Sequence, residues 1–195
     1  MFGTNRIDNI SRHVKEVTQS PETWRYFLDT DSRFSEFSFY ENLAIHSKMQ
    51  GARFETVNPA AHDELYCRLS DKFAIPAFTL PRTLDGLAVE LARNNLHAAY
   101  TEDSGIDETA FALLMRYSFC YVLARKCEVE LNVPENVFDS ITKLNNYSKL
   151  NSLGTAVVEL CRPIIKDIEQ ILEELQPEIN QQKGSDKMNE PKRTV

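Results

Sequence analysis

The chain has 195 residues, 42% hydrophobic and 26% charged, with a formal net charge of −7. That length suits one domain with a sizeable core, and that composition is the profile of a soluble globular chain. No apolar run approaches the roughly 20 residues needed to cross a bilayer, and the balance of acids argues against strong non-specific binding to DNA, which favours a basic footprint.

The opening residues, MFGTNRIDNISRHVKEV, lack the apolar core of a secretory signal, so a cytoplasmic protein is expected. Ile7, Ile10, Val14 and Val17 recur at three- and four-residue steps and predict an amphipathic helix over about 4–18. Ser20-Pro21-Glu22 is a helix start, with Ser20 as cap and Pro21 in the first turn, where a missing N–H costs nothing. Trp24, Phe27 and Leu28 give that second helix its buried face, and it is expected to fade in Asp29-Thr30-Asp31-Ser32. Ser38 followed by Glu41 is a capping box opening a third helix, expected to close at Gly51.

Phe54, Thr56 and Val57 make 52–57 the best strand candidate. Asn58-Pro59 starts another helix, with Leu65, Leu69 and Phe73 inward. Two prolines make 75–82 an extended connector, and Thr83 caps a helix reaching about Tyr100. A long apolar helix is expected over 107–128, a shorter one after Pro134 through Val137, Phe138, Ile141 and Leu144, and a last one over about 152–176. Pro163 lies inside the last helix and should kink it. The sum is an all-α fold: one helical domain of about seven helices over 1–177, with one short strand or hairpin near 52–57 and 75–80, and a disordered polar tail over 178–195.

Motifs of catalysis are missing. No Gly-rich phosphate loop and no HExxH occur, and His62 and Glu64, two apart, point in different directions on a helix. Of the four cysteines, Cys120 and Cys127 lie seven apart on one helix face, the spacing of two small buried side chains rather than of a CxxC metal knuckle. No enzyme, metal or cofactor is therefore expected. The aromatics cluster early, from Trp24 to Phe54, interleaved with Arg25, Arg33, Lys48 and Arg53. These are the residue types of a single-strand stacking platform, and equally those of a core with a charged rim.

Residues 20–54, SPETWRYFLDTDSRFSEFSFYENLAIHSKMQGARF, resemble the start of ArdC/LtrC-type antirestriction domains, closest to those that begin large helicase–methyltransferase proteins of Gram-positive conjugative elements. Trp24, Phe27, Leu28, Phe34, Phe39, Glu41, Leu43, Ile45 and Ala52 carry the likeness, while Asn42 and Lys48 stand where that family usually has Gln. Residues 107–175 resemble the helical end of the same module, through Cys127, Phe138, Leu153-Gly154-Thr155-Ala156-Val157 and the Ile-rich run 164–171. The basic, strand-rich segment that separates these parts in the family is missing, as is the metal-dependent domain that follows in some relatives. The resemblance thus implies a mobile-element accessory protein with an anti-defence role.

Three readings follow. The first is a non-enzymatic antirestriction or anti-CRISPR inhibitor that binds a host defence nuclease or its nucleic-acid complex. The second is a module for single-stranded DNA or RNA. The third is a structural or regulatory protein that dimerises through the helix near 157–175. The contact residues expected for partner or nucleic acid are Trp24, Arg25, Arg33, Asn42, Lys48 and Arg53.

Overall fold

A computed structural model describes residues 4–48, 62–74, 87–88, 91, 105–127, 129–134 and 136–188, with side chains described within 9–175. The fold is all-α. Its helices are α1 (Thr4–Val17), α2 (Pro21–Arg33), α3 (Phe39–His46), α4 (His62–Lys72), α5 (Glu108–Lys126) and α6 (Tyr147–Met188), with a 3₁₀ helix at Asp139–Lys143 before α6. Leu87, Ala88 and Leu91 are also helical and buried. The described residues contain no strand. The strand or hairpin near 52–57 and 75–80, most of the helix from Thr83, and residues Gly51 and Arg53 lie outside the described residues.

The caps follow from local chemistry. Ser20 Oγ accepts from the Thr23 N–H and Thr23 Oγ1 accepts from the Ser20 N–H, at 3.2 and 2.9 Å, so two orphan donors at the start of α2 are satisfied. Ser38 and Glu41 do the same for α3, and these bonds hold the Glu41 carboxyl below its usual range. Asp107 caps α5 by accepting from the Ala110 N–H at 2.9 Å, and Asn146 accepts from the Lys149 N–H at 3.0 Å to start α6.

Several boundaries differ from those the sequence suggested. The second helix does not fade at 29–32 but continues to Arg33. Its polar residues are held there: Asp29 by Arg125, Asp31 by Asn42, and Thr30 and Ser32 by backbone carbonyls of their own helix. The third helix stops at His46, because the Lys48 N–H folds back to the Ile45 carbonyl in a tight turn. After Pro134 the chain makes a turn and a 3₁₀ helix rather than an α-helix, since Asn136 sits at φ 66 and the bonds that follow are of the three-residue kind. The apolar face expected there is nonetheless inward, with Phe138, Ile141 and Leu144 buried.

Helix α5 is the centre of the molecule, packed mainly by α6 and α2. Its buried side chains run from Phe111 to Ala124 and include Phe119, Cys120 and Val122. The last helix starts at Tyr147 and continues through Pro163 to Met188, past the end foreseen near 176. Pro163 and Glu159 are both exposed. The carbonyl that loses its intrahelical donor to the proline thus lies on the wet side, where water replaces it. Val157, Ile164, Ile168, Ile171 and Leu175 are buried within this chain. That corrects the reading of 157–175 as an exposed seam: these residues of the stripe already pack on the protein's own core.

Candidate functional site

The early segment that suggested a contact surface folds into a corner where α2 and α3 meet α6. Trp24 is fully buried, stacked on Phe27 at 5.1 Å between ring centroids, and its Nε1–H donates to Ser118 Oγ of α5 at 2.8 Å. Phe39 packs edge-on to Phe27 and lies over Gly154 of α6, where a Cβ would overlap the ring carbons. Residues 20–54 and 107–175 therefore meet at this contact, and it explains why a glycine stands inside a helix.

Polar groups are also drawn into the corner. Asp31, 1% exposed, accepts from Asn42 Nδ2 at 2.6 Å. Arg162 of α6 donates from Nε to the Ser35 carbonyl at 2.9 Å and from Nη2 to the Phe37 carbonyl at 3.0 Å, fixing the loop between α2 and α3. Asp29 accepts from Arg125 Nε at 2.8 Å. His46 Nδ1 meets Thr30 Oγ1 at 2.8 Å with its ring edge-on to Phe27, and burial holds its pKa below the ordinary value.

Beside this packed interior lies a cleft between α1 and α3 of ≈ 190 Å³. Ile10, Leu43 and Ala44 supply its apolar lining, with His13, Tyr40 and Lys48 among its polar residues. His13 is engaged with Glu16 at 3.3 Å, while Lys48 is exposed.

The residues expected as contacts fare differently. Trp24 and Asn42 are buried, which corrects both: they lie on the inward faces of α2 and α3 and offer no surface. Arg25 is half-buried, its guanidinium 5.2 Å from the ring centre of buried Phe138. Arg33 is half-buried at the end of α2, Lys48 borders the cleft, and Arg53 lies outside the described residues. Tyr26, one of the early aromatics whose exposure the single-strand reading requires, is the most exposed large ring among the described residues, at 65%. Asp31 and Arg162 were missed. A signal for Asp31 was present, since 24, 27, 28 and 31 share one helical face.

The cysteines behave as small apolar side chains. Cys120, Cys127 and Cys161 are buried, and burial pushes the first two thiols up to about 12 and the third well above its ordinary value. Cys67 is exposed. Among the described residues, no three His, Cys, Asp or Glu side chains are placed to share a metal ion, and no helix is long and apolar enough to cross a membrane. No protein-family model, curated protein or solved structure matches this chain.

Proposed function

We propose that this chain is a non-enzymatic accessory protein of a mobile element that inhibits a host restriction or CRISPR nuclease by binding it. The observation that carries the reading is the commitment of its chemically capable side chains to architecture. Asp29 and Asp31 bind Arg125 and Asn42, Arg162 clamps two backbone carbonyls, and three cysteines are buried as thiols. For partner contact we assign two features among the described residues: Tyr26, exposed on α2, and the cleft of α1 and α3 with Lys48 at its edge. The net charge of −7 favours encounter with a basic, nucleic-acid-binding surface. The likeness of 20–54 and 107–175 to antirestriction modules supports the anti-defence context.

A direct single-strand binder has less support, because Trp24 is in the core and Arg25 is turned onto Phe138. The test is expression of the chain in cells that carry defined restriction or CRISPR systems, scored by the survival of incoming plasmid or phage. Relief of one system, weakened by Tyr26→Ala or Lys48→Glu, is the expected result. Unaltered interference across the panel, with salt-sensitive binding of single-stranded oligonucleotides instead, would overturn it in favour of the nucleic-acid reading.

A further inference from the structure

The buried pair that joins α2 to α3 is incomplete as it stands. Asn42 is 0% exposed and donates through Nδ2 to Asp31, yet its own Oδ1 has no hydrogen-bond partner among the described residues. Buried amide oxygens are ordinarily paired. An ionised carboxylate cannot supply the missing donor, because it only accepts. A neutral carboxyl can: its carbonyl oxygen takes the amide N–H while its O–H donates to the amide oxygen, closing a two-bond ring.

We propose that Asp31 and Asn42 form a proton-operated latch between α2 and α3, closed as an acid–amide ring when Asp31 is neutral and reduced to one bond when Asp31 loses its proton. The surroundings suit this role. Burial pushes the Asp31 carboxyl up to about 7, against the opposing pull of the Asn42 hydrogen bond and the Arg162 charge. The groups around it are fixed. From α6, Arg162 is a permanent cation held by the Ser35 and Phe37 carbonyls, and Cys161 stays a thiol. From α3, Glu41 is exposed and tied to Ser38. On α2 itself, Asp29 is paired with Arg125 of α5, and Arg33 carries a constant charge. Asp31 is thus the member of this cluster whose charge changes near neutral pH.

The latch acts on the cleft. Leu43 and Ala44, next to Asn42 along the chain, line its α3 wall. Opening the ring leaves the Asn42 oxygen facing a carboxylate and weakens the hold on that wall. This inference does not rest on the identity of any partner.

The test is a side-chain titration of the intact protein by nuclear magnetic resonance. The Asp31 Cγ signal, assigned by its loss in Asp31→Asn, and the Asn42 Nδ2 protons are expected to shift together with a midpoint near 7. An Asp31 midpoint in the ordinary carboxylate range, or Asn42 protons that ignore the titration, would overturn the latch. Stability gives a second measurement. The raised folded-state value means that the neutral pair's contribution is fully present below about pH 4 and is lost as pH rises to about 7. His46, whose pKa is lowered, acts in the opposite sense and loses stability as pH falls, so the difference between proteins is the quantity to read. Asp31→Asn keeps an amide–amide ring without the proton, and its denaturation midpoint should gain on the parent as pH rises through that window. A gain that is the same at all pH values would refute the proposal. If the variant does not fold, the titration of the parent protein decides.

Discussion

Helices α3 and α4 both lean on α6, by opposite chemistry. Helix α4 presses Leu65 and Leu69 into the core and rings that contact with ion pairs at the surface, Arg68 to Glu174 at 3.0 Å and Lys72 to Asp167 at 2.7 Å. Helix α3 sets Phe39 on a bare glycine of α6, joins α2 through a buried acid and amide, and is preceded by a loop whose carbonyls Arg162 holds. A solvated ion pair can be lost and replaced by water. A buried ring over a glycine, or a buried amide, has a single acceptable neighbour. The difference locates the specificity of the fold in the α2–α3–α6 corner and leaves the α4 flank tolerant.

The largest effect expected at the corner is that of Trp24→Ala. It empties the site under Phe27 and strips Ser118 of its donor, and it should cost about 3–5 kcal/mol in urea denaturation. Gly154→Ala tests the glycine itself. At an ordinary helix position this change stabilises by about 1 kcal/mol. Here the new methyl overlaps the Phe39 ring, so a loss of about 1–3 kcal/mol is expected. Phe39→Leu should recover part of that loss when the two are combined, because the sites are coupled by contact. A Gly154→Ala protein more stable than its parent would show that α3 does not sit on α6 in this way.

Arg162→Ala comes next in size. It leaves the Ser35 and Phe37 carbonyls without their side-chain donor, and about 1–3 kcal/mol should be lost. Arg162→Lys should recover little, since an ammonium cannot span two carbonyls as the guanidinium fork does. Hydrogen exchange of the amides of 34–38 should speed up in both variants while those of α5 stay protected.

Much of this architecture was legible in the sequence. The cap at Ser20, the capping box at Ser38, the start of α5 near 107, and the inward stripes of α4, α5 and α6 are local signals, and each appears where short-range chemistry put it. The contact residues were less legible, because burial is a tertiary property. Asn42 read as a surface candidate by residue type, and Trp24 as both a buried-face residue and a contact; Trp24 finds Ser118, 94 residues away, and Asn42 finds Asp31 across a turn. Asp29 to Ser32 read as a fading helix end because intrinsic propensity is a weak prior. Arg125 and Asn42 overrule it, and neither partner can be seen from the local window.

The smallest effect belongs to the α4 flank and closes the comparison from its other side. Lys72 and Asp167 retain 42% and 25% of their side-chain exposure. Their attraction is weakened by water and screened by salt. A double-mutant cycle with Lys72→Ala and Asp167→Ala should return a coupling of about 0.2–1 kcal/mol that shrinks further in molar salt. The equivalent cycle at Asp31 and Asn42 should be insensitive to salt, because ions do not reach a pair that is sealed between helices. If the α4 pair proved as strongly coupled as the buried one, the division between a specified corner and a tolerant flank would fail. The anchoring of α4 would then have to be credited to its rim as well as to Leu65 and Leu69.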